Sequence, residues 1–219
     1  VDDAVNRLTF DPDSDAKQVV DSLGLKRNRA EARLLRRLPR AAIAEQTAIL
    51  RLLAVCGTPR AVPVLLRLNR PKTIRDDVLA TIEQIVGIED LARVVRTTTD
   101  PKVRAALMLR LLTTGSEPGL LGYLSLIRDD ATRLEALAVS DKAPQLPIGA
   151  LLVLLDQNEK WVGFAAALVL GHANGPEVTK LLIARVTEKP ANSMETWMAL
   201  LACRGELAED FLSYAALRP

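Results

Sequence analysis

The sequence predicts an all-α fold made of stacked copies of one small helical unit. Three observations predict it: a 29-residue period in the apolar residues, a composition rich in Leu and Ala, and an aromatic content of only 3%. Leu and Ala favour helices, whereas strands are enriched in aromatic and β-branched side chains. A period of this size is typical of repeat proteins, in which each unit buries its apolar face only against its neighbours.

The period is carried by three columns of residues that recur over five cycles. The columns are Val62, Leu91, Leu120, Gly149 and Val178; Leu65, Val94, Tyr123, Leu152 and Leu181; and Leu66, Val95, Leu124, Val153 and Leu182. Positions i, i+3 and i+4 lie on one face of a helix. The columns therefore predict the buried face of one helix in every unit.

Each cycle is expected to hold two helices. In residues 100–128, Asp100-Pro101 provides a helix start, Gly115 ends the first helix and Ser116 opens the second. We expect the same plan in residues 42–70, 71–99, 129–157 and 158–186, with starts at Pro71 and Asn158 and ends at Gly57, Gly87 and Gly171 or Gly175. With the helical segments outside these cycles, the prediction is about seven helix pairs.

Residues 1–40 do not follow the columns, because Arg33, Arg36 and Arg37 fall on column positions. We interpret residues 1–40 as an N-terminal extension and helical cap, and residues 41–219 as one continuous repeat array. The acidic run that ends at Asp15 resembles half of a calcium loop, but Ala16 stands where the loop needs glycine. A helix start at this point is the favoured interpretation.

The net charge of +2 does not by itself indicate a nucleic-acid or membrane partner. The charge is uneven, however: residues 26–110 contain 18 basic and eight acidic residues, a net of +10. An acidic ligand near this half would explain the excess, and so would solvated arginines on helix faces, which are the commoner cause.

The densest basic run predicts a basic cap, in which four arginines share one helical face by their spacing. They are Arg29, Arg33, Arg36 and Arg40. One hypothesis is that this face binds phosphates or an acidic peptide. The alternative is a solvated face whose long side chains cover apolar surface.

Two short motifs open helices in the predicted repeats, Asp100-Pro101-Lys102-Val103-Arg104 and Ala61-Val62-Pro63-Val64-Leu65-Leu66. They resemble the HEAT-repeat family, in particular bacterial HEAT-like repeats of the phycobilisome-lyase type. The resemblance covers roughly residues 41–217. It implies a right-handed α-solenoid, or superhelix, of antiparallel helix pairs whose second helices line the concave side. It also implies that recurring acidic and basic residues bridge neighbouring units, namely Arg75, Asp100, Arg104, Asp129 and Arg133.

A second candidate binding surface follows if the second helices line a concave side. The face opposite the apolar columns has Arg67, Arg93 and Arg96 in the early units. Ser125, Leu151, Leu154 and Ile183 lie near that face in the later ones. Such a groove would run from basic to apolar and suit an extended protein or peptide partner with acidic and apolar residues. The alternative is that the later apolar residues belong to the core between repeats.

The chain offers few residues for catalysis, and we predict no cofactor and no metal site. His172 is the only histidine and is expected to lie at a helix end, and Cys56 and Cys203 are expected to be buried thiols. Some HEAT-like proteins excise alkylated bases with Trp and Asp, but Trp161 and Trp197 are more simply explained by core packing.

Together these features predict a non-enzymatic protein-binding scaffold or regulatory module in the bacterial cytoplasm. No apolar run reaches the length of a membrane span. Because the chain begins at Val1 without a signal peptide, we expect a piece of a larger protein. The alternatives are a nucleic-acid-binding or repair-type HEAT-like enzyme and an accessory lyase-like factor, with nucleic acid the less favoured partner.

Overall fold

The computed structural model describes residues 1–24, 27–68, 75–157, 159–173, 175–188, 194–203 and 205–216. Over these ranges the protein is all-α, as predicted, with fifteen α-helices, two short 3-10 segments (Leu38–Arg40 and Pro59–Ala61) and no strand. The helices are α1 (Asp2–Phe10), α2 (Ala16–Ser22), α3 (Arg27–Arg37), α4 (Ile43–Cys56), α5 (Val62–Leu68), α6 (Arg75–Val86), α7 (Ile88–Thr97), α8 (Pro101–Thr113), α9 (Glu117–Arg128), α10 (Arg133–Asp141), α11 (Ile148–Leu154), α12 (Lys160–His172), α13 (Pro176–Glu188), α14 (Met194–Ala202) and α15 (Glu206–Ala216).

Three helices, α1 to α3, precede the twelve helices α4 to α15. The predicted breaks at Gly87 and Gly115 are confirmed, since both adopt positive φ angles, of 77° and 64°. The predicted start at Asp15 is also confirmed, because its carboxylate accepts a hydrogen bond from the Lys17 amide at 2.9 Å. The predicted helix starts at Pro71 and Asn158 lie outside the described residues.

The chain divides into two compact units, unit 1 (Val1–Val103) and unit 2 (Arg104–Pro219). In unit 1, helices α1, α2, α3 and α6 all pack against α4. Leu52 and Leu53 of α4 are fully buried. The helices before residue 41 therefore share their core with the first predicted repeat. The proposed boundary at residue 40 stays a prediction.

In unit 2, helices α9, α10, α11 and α14 pack against α12. The contact between α9 and α12 skips the repeat that lies between them in sequence. A stack in which each repeat touches only its neighbours does not predict this contact. The intervening helices are short, with nine residues in α10 and seven in α11.

Four pairs of residues about one period apart along the chain are joined by polar contacts. The four pairs are spaced 29 to 31 residues apart: Thr47 with Asp77, Leu50 with Thr81, Arg104 with Glu135, and Asp156 with Arg185. Their spacing lies within two residues of the 29-residue period.

The expected ladder of acidic and basic residues is found only in part. Arg104 bridges to the next repeat, but its Nε donates to Glu135 at 2.7 Å. Asp100 instead accepts a hydrogen bond from the amide of Lys102 in its own helix, at 2.9 Å. The Arg133 Nε donates at 2.8 Å to the carbonyl oxygen of Ile127, which lies in the last turn of α9.

Outside α11 the apolar columns predict the buried face, except at Leu181 of α13, which is 45% exposed. Nine of the fifteen column residues are buried. In α11, however, Gly149 and Val153 are exposed, while Leu151 and Leu154 are buried. The leucines at 151, 154 and 155 form an apolar face of their own, and burying it removes more apolar area from water than burying the face that contains Gly149.

Candidate anion-binding site

Helix α3 is amphipathic, and its packing determines which side chains face solvent. Ala30, Leu34 and Leu38 recur every four residues and are at most 2% exposed, and α3 packs on α4. The opposite side of α3 and of the 3-10 segment that follows is solvent-exposed. It contains the four predicted arginines, Arg29, Arg33, Arg36 and Arg40.

The four arginines line one open depression with a volume of about 880 Å³, which we call the arginine depression. The other residues that line it are Asp2, Ala32, Arg37, Ala41 and Glu45. Five guanidinium groups and two carboxylates give the depression a net charge of +3 (5 − 2). The structure thus brings together the residues of the predicted basic cap and adds Arg37.

Two carboxylates from other helices already lie in the arginine depression. Asp2, in the first turn of α1, accepts hydrogen bonds from Arg33 and from Arg37, the latter at 2.9 Å. The Arg37 Nε also donates to Glu45, in the first turn of α4. This bond to Glu45 is the main cause that raises the pKa of Arg37, so this guanidinium stays charged.

The remaining three arginines of the depression have no carboxylate partner in the described part of the chain. Arg29 and Arg40 are exposed, and Arg36 uses only its Nε, which donates to the carbonyl oxygen of Ala32 at 3.3 Å. A guanidinium presents paired N–H groups that match the two oxygens of a carboxylate or phosphate. The arrangement can therefore hold an anion.

The second predicted surface is only partly assembled. Arg67, Arg93 and Arg96 are exposed, as predicted. Arg67 lines a separate depression of about 420 Å³ with Asp100, while Arg93 and Arg96 are not among its lining residues. Arg93 forms an ion pair at 2.7 Å with the residue three positions earlier in its own helix.

The apolar continuation of that surface does not form in α11, where the alternative of core packing applies. Leu151 and Leu154 belong to the core of unit 2, with 0% and 3% of their surface exposed, and Ile183 and Ser125 are half-buried. The reason is the position of α11, which buries the leucines that the column phase had placed outside.

The histidine, the two tryptophans and the two cysteines considered in the sequence analysis are all at least half-buried. His172 is half-buried in the last turn of α12. The half-buried Trp161 donates to Glu159 at 2.8 Å and lies under the guanidinium of Arg128. Trp197 stacks on an aromatic ring of α15. Cys56 and Cys203 are buried, as predicted, and burial raises the pKa of the Cys203 thiol.

Sequence reasoning missed the role of Asp2 and Glu45, which lie 31 and eight residues from their arginine partners Arg33 and Arg37. Their acidic character in first helical turns is the only sequence signal, and it is equally explained by the helix dipole.

Among the described residues, no group of His, Cys, Asp and Glu side chains is placed to hold a metal ion. No helix in the same ranges is long and apolar enough to cross a membrane. Comparison with protein-family models, curated proteins and solved structures found no match.

Proposed function

We propose that this chain is a non-enzymatic protein-binding module whose arginine depression binds an acidic segment of a partner protein. The observation that supports the proposal is that one depression contains three exposed guanidinium groups without a carboxylate partner among the described residues. They belong to Arg29, Arg36 and Arg40. A net positive, exposed cluster of this kind attracts anionic partners and orients them.

The surroundings of these arginines favour carboxylates over nucleic-acid phosphates. Asp2 and Glu45 lie in the same depression, so its geometry already accommodates carboxylates. From Arg29 to Arg40 the chain advances eleven residues (40 − 29), which is about 16 Å at the rise of an α-helix. That length suits two or three acidic side chains, whereas duplex DNA is bound through many phosphates along a continuous basic surface.

The finer architecture is also a proposal. We propose that the helix pairs within each unit stack as in a right-handed solenoid of the HEAT type. The polar contacts spaced 29 to 31 residues apart support this arrangement.

Fluorescence anisotropy with a labelled acidic peptide tests the proposed function. The probe is a helix-forming peptide of about 16 residues with a Glu at every third or fourth position, so that successive Glu side chains lie about one helical turn apart on one face. Replacing Arg29, Arg36 and Arg40 together by Gln removes three positive charges from the depression. We expect about a 10-fold loss of affinity, because three exposed charge pairs at about 0.5 kcal/mol each contribute about 1.5 kcal/mol.

The matched control replaces Arg67, Arg93 and Arg96 by Gln, which removes the same charge from a different exposed surface. We expect less than about a 2-fold change for this variant, since screening weakens charges that lie beyond a Debye length of about 10 Å. Absence of saturable binding to the unmodified protein, or an equal loss in both variants, would refute the proposal. Tighter binding of a labelled DNA duplex, with a steep salt dependence, would instead identify nucleic acid as the partner.

A further inference from the structure

The carboxylate of Asp2 is held in the arginine depression by contacts that are largely exposed to solvent. The Asp2 side chain is 46% exposed and that of Arg33 is 60% exposed. Ion pairs with this degree of exposure are screened by water and salt and contribute little stability. A competing carboxylate of comparable geometry can therefore replace Asp2 at low cost.

The two arginines that hold Asp2 differ in what else they contact. Arg37 also donates to Glu45, and its side chain is only 33% exposed. Arg33 has no carboxylate other than Asp2 within the described ranges. If Asp2 were displaced, Arg37 would keep its bond to Glu45, and Arg33 would present its whole guanidinium fork to an incoming ligand.

Displacement of Asp2 does not require α1 to leave its place. The helix is anchored by Ala4, Val5 and Leu8, which are at most 2% exposed, and it packs against α4. Asp2 lies at the first position of α1, and rotation of its side chain is enough to turn the carboxylate into solvent. Replacement of the Asp2 carboxylate by another carboxylate therefore requires only rotation of the Asp2 side chain.

We infer that Asp2 occupies a second anion subsite of the arginine depression, and that a carboxylate of the partner displaces it and binds Arg33. The inference rests on the proposed function. The partner then presents at least two carboxylates about one helical turn apart, because Arg33 lies four residues from Arg29 and three from Arg36. One carboxylate binds the arginines that have no carboxylate partner in the described ranges, and the other replaces Asp2.

Two variants that differ only in the position of one lost charge test the inference. Asp2→Asn removes the competing carboxylate. Asp3→Asn is the matched control, because Asp3 is exposed in the same helical turn and has no ionic partner among the described residues. In the anisotropy assay with the acidic peptide, we expect Asp2→Asn to raise affinity about 5-fold over Asp3→Asn, the upper range for an exposed ion pair.

The variant Arg33→Gln shows whether the gain passes through this arginine. In the Asp2→Asn background it should abolish the gain, and in the unmodified protein it should have a smaller effect. Equal affinities for Asp2→Asn and Asp3→Asn, or weaker binding of Asp2→Asn, would overturn the inference while leaving the proposed function in place. Absence of peptide binding to every protein, with unchanged thermal unfolding midpoints, would overturn both.

Discussion

A glycine at the contact between α12 and α14 provides a quantitative test of the packing in unit 2. A Cβ atom added at Gly171 would lie 2.4 Å from the Cβ of Ala202 and 2.8 Å from the carbonyl oxygen of Ala199. Neither atom can move by a side-chain rotation. Carbon atoms in contact are normally about 3.5–4.0 Å apart, so the two helices would have to separate locally by more than about 1 Å.

We therefore expect Gly171→Ala to destabilise unit 2. Overpacking of a core costs about 1–3 kcal/mol, and the rigid neighbours of Gly171 place the cost near the upper end. Alanine offsets about 1 kcal/mol through its higher helix propensity. The net loss of about 2 kcal/mol corresponds to a fall of about 4–8 °C in the unfolding midpoint of a chain of this size, measured by circular dichroism.

The matched control is Gly149→Ala in α11, where an added Cβ meets no atom within 4 Å. This substitution should stabilise the protein by about 0.4–1 kcal/mol, because it restricts the unfolded chain without a clash. Opposite signs for the two variants are the expected result. A midpoint for Gly171→Ala equal to or above that of the unmodified protein would refute the close approach of α12 and α14.

Two further substitutions test polar contacts inside the fold. Tyr123 is fully buried and donates to the carbonyl oxygen of Ala136 at 2.5 Å, so Tyr123→Phe should cost about 1 kcal/mol in urea unfolding. Burial raises the pKa of Tyr123, so this tyrosine ionises first in the unfolded chain. The free energy of unfolding should therefore fall as the pH rises above about 10. Between about pH 8 and 11, Tyr123→Phe should lose less stability than the unmodified protein does. For the pair of Arg104 and Glu135, whose side chains are about one-quarter exposed, a double-mutant cycle with Gln should give a coupling of about 0.5–1 kcal/mol. A pH-independent difference for Tyr123→Phe, or zero coupling for the pair, would contradict these contacts.

The helices could be predicted from the sequence because their signals are local. Apolar spacing and the positive-φ glycines at 87 and 115 act within a few residues, and the structure places helices on both sides of each glycine. The phase of α11 could not be predicted, because two apolar faces compete there and the packing against α12 decides between them. The predicted helix end at Gly171 or Gly175 agrees with the end of α12 at His172, but the close contact of Gly171 with α14 could not be predicted, because it depends on how the two helices pack.

The candidate site was predictable to a similar extent. The exposed arginine face follows from the four-residue spacing of Ala30, Leu34 and Leu38 on the buried side of α3. The carboxylates of Asp2 and Glu45 were not predictable, because they reach the arginines only through the packing of α1 and α3 on α4. Spacing along one helix therefore indicated the cations but not their partners.

Amide hydrogen exchange with and without the acidic peptide tests the central claim most directly, because it reports which segment the bound peptide protects. Binding in the arginine depression predicts slower exchange in α3 and in the segment Leu38–Arg40, with α5 and α7 unchanged. Protection of α5 and α7 at saturating peptide, with none in α3, would contradict the claim that this depression is the binding site.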